Sequence, residues 1–420
     1  MTTAAGTAGP DWKTDPRPRI ELVDAIRGLA LFGILQVNIQ SFTWGLGDVL
    51  GYLDRPPNPG ESALYFLQSA FIAGKFYPIF AFLFGFGMAL QVRKLRRRGG
   101  LDARQARSVY RRRLAFLLAL GIAHGVLLYF GDVLLAYAIC GFVFLHWTLR
   151  PQPVRPAALV RIAWIGAVAS LLALALPVVI DALPDALAGP VAGAGAEADE
   201  TSDALADAIL GAHLTYTQGG FREQLEQRLD DELWQQTDGI LSFWPQVLAL
   251  YALGALAGRL GWLRRPERHA LLWRRAAQIG WAVGLPCALA GAALELAAAR
   301  STPGWPSPWA DLVSGAGSLL AAAYVALAVG LLRRDGARRL RAWLACAGRA
   351  SLSNYLLQSL AMGALLSGWG LGWGASASRA QLAALALGIF AAQVAASRWW
   401  LSRFRQGPVE ALWRRWTYGR

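Results

Sequence analysis

About ten stretches of this chain are each apolar for close to the 20 residues that a bilayer helix requires, and that repetition leaves few folds open. They are Val23–Trp44, Ala63–Val92, Leu114–Phe130, Val133–Leu149, Pro156–Ile180, Leu241–Leu260, Ala276–Ala298, Leu312–Leu332, Leu352–Trp373 and Leu382–Leu401. The expected fold class is all-α: a polytopic integral membrane protein of about ten transmembrane helices. The second stretch is too long for one upright helix and is interrupted by Gly74 and Pro78. A re-entrant or broken helix is expected over residues 63–92, ending in a crossing that stops at Arg93. Charged residues make up only 16% of the chain, too few to coat a soluble globule of this size.

The net charge of +14 does not point to nucleic acid, because the basic residues sit in short loops between apolar runs and form no continuous stripe. From Arg93 to Arg113 there are ten Lys or Arg and one acid; from Ala182 to Gly239 there are twelve acids and two Arg. Loops of the first kind stay in the cytoplasm, which orients the chain N-in and C-in. No secretory signal is visible: the first apolar run carries Asp24 and Arg27 and lacks a small-residue cleavage site, so it is expected to remain as an anchor helix. Cys140, Cys287 and Cys346 fall in or beside apolar runs, which argues against a disulfide or zinc framework.

These boundaries divide the chain into five parts. Residues 1–19 form a cytoplasmic tail, 20–181 a first bundle (helices 1–5), 182–240 an acidic outer loop, 241–401 a second bundle (helices 6–10) and 402–420 a basic, aromatic tail. Within the outer loop, the stretch from Gly189 to Glu197 is linker-like. Phe221–Trp234 is amphipathic at helical spacing and reads either as a helix lying on the membrane or as a lid. The last segment, Ser402–Gly419, reads as an anchor at lipid headgroups.

Polar side chains inside apolar runs are the candidate functional groups. The first run carries Asp24, Arg27 and Asn38; Arg27 and Asn38 lie eleven residues, or roughly 16 Å, apart on one helix face. His124 lies at the same depth from the basic rim as Asn38, with Gly121 and Gly125 leaving room around it. It reads either as a proton acceptor or as a hydrogen-bonded residue without chemistry. Asp132, after the Gly131 turn, is a partner for His124 or an ordinary helix cap. Lys75, one of three lysines, suits a phosphate or carboxylate, or snorkels to an interface. Arg349, Ser353, Asn354 and Gln358 make a graded polar face on another run.

The segments Leu22–Gly28, Lys75–Gly87, His124–Asp132, Gly348–Ser359 and Phe404–Pro408 resemble the bacterial YeiB-like family, domain of unknown function 418. The first helix is also similar, more distantly, to the transmembrane acyltransferase superfamily, which includes the acyltransferase type 3 enzymes and heparan-glucosaminide acetyltransferase. That resemblance implies transfer of an acyl group, acetyl in the simplest case, from cytoplasmic acyl-CoA to an extracytoplasmic or membrane-associated hydroxyl or amine such as a glycan. Where many of those enzymes have a His eleven residues after the Arg, this chain has Asn38, which cannot act as a general base. Catalysis would then fall to His124, Asn38 and Asp132. Arg27, Asp24, Lys75, Arg349, Asn354 and Gln358 would hold acyl-CoA, and no metal is expected. The implied setting is the bacterial cytoplasmic (inner) membrane, with membrane lipids, acyl-CoA and an outer acceptor as partners, no nucleic acid, and a homodimer left open. The rival reading is a transporter of a small amphiphile or peptide.

Overall fold

A computed structural model describes residues 20–49, 59–97, 100–148, 155–182, 197–301 and 307–419. Every regular element among them is a helix. In chain order they are α1 (Glu21–Trp44), α2 (Leu46–Val49), α3 (Pro59–Phe71), α4 (Tyr77–Arg97), α5 (Ala103–Leu127), α6 (Leu134–Thr148) and α7 (Pro156–Asp181). Two outer-loop helices follow, α8 (Glu197–Gln218) and α9 (Phe221–Gly239). The second half holds α10 (Phe243–Leu260), α11 (Ala270–Ile279), α12 (Leu285–Ser301), α13 (Pro308–Gly317), α14 (Leu320–Leu332), α15 (Arg338–Arg349), α16 (Ser351–Leu366), α17 (Arg379–Arg403) and α18 (Pro408–Tyr418).

Among the described residues, six helical stretches are long and apolar enough to cross a membrane: Glu21–Trp44, Tyr77–Arg96, Pro156–Ile180, Pro266–Ala299, Pro308–Leu332 and Arg379–Arg403. The chain is a multi-pass membrane protein. Of the other runs read as crossings, two form helices well short of a full span: α6 has 15 residues and α16 has 16, roughly 24 Å at 1.5 Å per residue against a hydrocarbon core of about 30 Å. The break expected within 63–92 is present, as α3 and α4 flank a turn in which Gly74 has φ +73°.

The acidic segment holds two helices packed on the bundle, the second of them over the stretch read as an amphipathic helix. The linker-like stretch around Gly189 lies outside the described residues, but α8 is a 22-residue helix, docked on α1 by the stacked rings of Trp44 and His213. On α9, the buried stripe is the polar one, made of Gln224, Arg228, Asp231 and Glu232; Phe221, Leu229, Leu233 and Trp234 are exposed. A helix lying apolar face down on a bilayer needs no polar stripe against protein, so α9 is a docked cover. The C-terminal tail is likewise more than an anchor. Trp413 is buried and donates its indole N–H to Arg113 O at 2.9 Å, and Glu410 accepts from the amides of Leu352 (2.7 Å) and Ser353 (3.2 Å), capping α16.

Helices approach most closely where two glycines face each other. A Cβ on Gly28 of α1 would collide with Leu344 O of α15, and one on Gly348 with Asp24 O. The crossing of α4 and α10 repeats the arrangement, with Gly85 against Tyr251 O and Gly254 against Phe82 O. In hydrocarbon, where burial against lipid gains little, such backbone contact supplies the dispersion energy that holds helices together. Gly348→Ala and Gly254→Ala should each destabilise the protein by about 1–3 kcal/mol. Gly330→Ala, which meets open space, should leave stability unchanged or slightly raised. Thermal unfolding of the three variants in one detergent tests this.

Candidate functional site

The turn between α5 and α6 gathers the buried polar groups. His124 sits in the last turn of α5, Asp132 opens α6, and Ser359 lies midway along α16. Asp132 Oδ1 is 2.8 Å from His124 Nδ1, and Ser359 Oγ is 2.8 Å from His124 Nε2. Asp132 Oδ2 accepts from the Leu135 amide at 2.8 Å, and Tyr355 O–H reaches Oδ1 at 3.4 Å. The carboxylate only accepts, so Nδ1 carries the proton and Nε2 accepts from the Ser359 hydroxyl. All three residues are at most 2% exposed. Asp132 therefore caps α6 and orients His124 at once, the two roles that the sequence left open.

Two glycines make this geometry possible. A Cβ on Gly121 would lie 2.9 Å from Asp132 Oδ2 and 2.6 Å from the Leu135 amide nitrogen, and one on Gly125 would lie 3.1 Å from Glu232 Cδ. Glu232 thus reaches over the site from α9. Its Oε1 accepts from Gln236 at 2.9 Å, while its Oε2 is buried with no hydrogen-bond partner among the described residues. Burial pushes the Glu232 carboxyl up to about 8, opposed by the Gln236 hydrogen bond and helped by the charge of Asp132.

A cavity of about 540 Å³ opens at the end of the bundle where α1 finishes. Asn38, Lys75, Tyr129 and Tyr355 are on its wall. The rings of Tyr129 and Tyr355 also pack against His124, with centroids 6.2 and 4.8 Å away, so the Asp132–His124–Ser359 chain stands directly behind them. No hydrogen bond joins Asn38 to His124; the tyrosines stand between cavity and imidazole. The Asn38 amide has no hydrogen-bond partner among the described residues and faces the space.

The remaining polar residues singled out in the sequence are not gathered there. Asp24 and Arg27 pair with each other at 2.9 Å in the first turns of α1. Arg349 donates to Arg405 O at 3.2 Å. Asn354 donates to Ser397 Oγ (2.9 Å) and Ala347 O (3.1 Å), and Gln358 donates to Gln393 Oε1 (2.9 Å), which joins α16 to α17. These residues hold the basic end and the α16–α17 seam; none lines the cavity. Sequence reasoning missed Ser359 and Glu232. The signal for Ser359 was its place one residue after Gln358 on the polar run; nothing local marked Glu232.

Residues 257–420 match a protein family described as a protein of unknown function, DUF418. Over 415 residues, 95% of this chain and 94% of the relative, the sequence is 28% identical to the uncharacterized protein YxaH of Bacillus subtilis. It is 29% identical to the uncharacterized protein YeiB of Escherichia coli over 407 residues, 94% of this chain and 95% of that protein. Residues 257–420 thus carry the DUF418 match, and nearly the whole chain is similar to YxaH and YeiB. The family match covers α11 to α18, and with them Ser359, while His124 and Asp132 lie outside it, in the part shared with YxaH and YeiB. A shorter match, 35% over 127 residues, joins 30% of this chain to 33% of an uncharacterized 39.9 kDa protein in the amylase 3' region of Bacillus acidopullulyticus. No solved structure matches.

Two outcomes are expected for this site. Asp132→Ala removes a helix cap and a partner of a buried imidazole, and should cost about 2–4 kcal/mol; Ser359→Ala, which leaves one nitrogen unpaired, should cost about 1–2 kcal/mol. Thermal unfolding ranks them. For Glu232, the folded carboxyl binds its proton more tightly than the unfolded one, whose ordinary value is 4.5. The cost of holding it is absent below that value, grows as pH rises, and is complete above about 8. Glu232→Gln should therefore gain stability over the native chain at about pH 9 and lose that advantage at about pH 5, read as Tm across the range.

Proposed function

We propose that this protein is a membrane-embedded acyltransferase that moves an acyl group, acetyl in the simplest case, from acyl-CoA to a hydroxyl or amine acceptor such as a glycan. The observation that supports the reading is the fully buried Asp132–His124–Ser359 hydrogen-bonded chain behind a polar cavity. A serine, an imidazole and a carboxylate linked in that order are the parts that acyl transfer needs. Ser359 Oγ attacks the thioester carbonyl while His124 Nε2 takes the hydroxyl proton; the C–S bond breaks and the thiolate leaves with that proton. The acceptor hydroxyl then attacks the acyl-serine, His124 takes the acceptor's proton, and Ser359 leaves as the hydroxyl. Asp132 stabilises the imidazolium in both steps. Asn38 Nδ2, unpaired on the cavity wall, serves as a donor to the developing oxyanion once the tyrosines turn aside.

In this reading the chain crosses the bacterial cytoplasmic membrane about ten times, the short helices included, with both termini inside. Arg-rich ends at residues 93–97, 104–113, 333–349 and 403–415 then face the cytoplasm, and the cavity faces out. A second reading, transport of a small amphiphile, is supported by the glycine-tight packing of α1 on α15, which closes the basic end while the other end stays open. Release of free CoA from acetyl-CoA by protein in lipid nanodiscs separates the two. Release should fall by at least about 100-fold in His124→Ala and in Ser359→Ala. Accumulation of substrate in proteoliposomes without CoA release would overturn the enzyme reading.

A further inference from the structure

Lys75 is the group in the cavity whose surroundings are incomplete. It sits in the turn between α3 and α4, is 2% exposed, and lines the cavity wall. Its ammonium has three N–H donors and one acceptor among the described residues, Ser69 O at 2.6 Å. No ion pair among those residues reaches it. Glu295, on the far side of the same serine, acts on the ammonium through its charge alone, because its oxygens accept from the Ser69 hydroxyl and from Ser314 Oγ at 2.7 Å. Arg379 and Asp48, also on the wall, are 3.9 Å from each other, with Asp48 accepting from Ser41 Oγ at 2.8 Å. Asp311 completes the wall's charged groups and has a contact of its own. A buried ammonium bound to one neutral carbonyl is a costly arrangement unless an anion completes it.

The backbone points the same way. The 21-residue helix α4 starts at Tyr77, two residues past Lys75, so the positive end of its dipole lies beside the ammonium. Pro78 in its first turn fits a helix start. Two positive features, one of them a side chain more than nine-tenths buried on the cavity wall, meet at the space large enough for a sugar-sized ligand.

We infer that the cavity binds a ligand through an anionic group, a carboxylate or phosphate, held by Lys75 at the N-terminus of α4. The inference deepens the acyltransferase reading by naming the chemistry of what enters the same cavity, and binding is measured without turnover so that the two fail separately. The full chain in phosphatidylcholine nanodiscs would be titrated with glucose 6-phosphate, glucuronate and glucose, with Tm and Kd as readouts. The two anions should raise Tm and bind at least about tenfold tighter than glucose. Lys75→Gln should abolish that preference, Lys75→Arg should keep it, and His124→Ala should leave it intact. If Lys75→Gln unfolds the protein, Lys75→Met supplies the uncharged wall. A second arm replaces part of the phosphatidylcholine with phosphatidylglycerol. A rise in Tm that requires Lys75 there, without any soluble anion, assigns the anion to a lipid headgroup, whereas binding of the soluble probes in phosphatidylcholine alone assigns it to a free ligand. Equal binding of glucose and glucose 6-phosphate, an unchanged preference in Lys75→Gln, or no effect of any anion in either lipid would overturn the inference.

Discussion

A polar group carried into a hydrocarbon-embedded bundle has no water to turn to, so each must find its partner within the protein. That demand organises the interior of this chain. Asn354 with Ser397 and Gln358 with Gln393 tie α16 to α17, and His124 ties the α5–α6 turn to α16 through Asp132 and Ser359. Both sets share α16, whose own N-terminus is capped by Glu410 from the tail. One short helix therefore carries the polar bonds that join α17, the C-terminal tail and the α5–α6 turn of the first half. Net bonds of about 1 kcal/mol each would matter little individually; leaving any of these groups unpaired costs more than its bond gains, and that cost forbids other registers.

Short helices create the space that this polar interior serves. α6 and α16 end before they could span a full hydrocarbon core, and α3 breaks off before α4. Irregular backbone at such depth is tolerated where protein covers it or where it lines a cavity. Both apply here. The α8–α9 hairpin lies over the α5–α6 turn through its polar stripe, with Arg228 donating to Val126 O at 3.2 Å, and the cavity occupies what the short helices leave. At the opposite end the reciprocal glycines of α1 and α15 bring backbones into contact.

The sequence carried the fold class and the break at Gly74, and it offered Asp132 both as a partner for His124 and as a cap, because each is written locally. Apolar length, a glycine before a proline, and a histidine eight residues from an aspartate across a tight turn are short-range signals. What it hid is long-range. Whether Asn354 and Gln358 met a ligand or another helix depended on α17, some 40 residues on, and the answer was Ser397 and Gln393. The inward turn of the polar stripe on α9 depended on Gly125, whose missing side chain is the seat for Glu232. Periodicity shows that a helix has two faces; only the neighbour decides which is buried.

The placement of Asn38 relative to His124 bears on how such a centre would work. Equal depth on two helices allowed the two side chains to meet, but Tyr129 and Tyr355 intervene, and both rings face the cavity on one side and the imidazole on the other. An imidazole with both nitrogens bonded and no exposure is protected from water and from adventitious proton exchange. It is also out of reach of any ligand until an aromatic ring moves. Tyr355 is the ring whose movement would matter: beside a backbone bond at Val133, its hydroxyl reaches Asp132 at 3.4 Å, a long contact next to the 2.8 Å contacts of the chain. A ligand that filled the cavity and offered Tyr355 a better acceptor would open the path to Ser359 and His124 without breaking either strong bond. Exclusion of water at rest and access on binding would then both follow from one weakly held side chain.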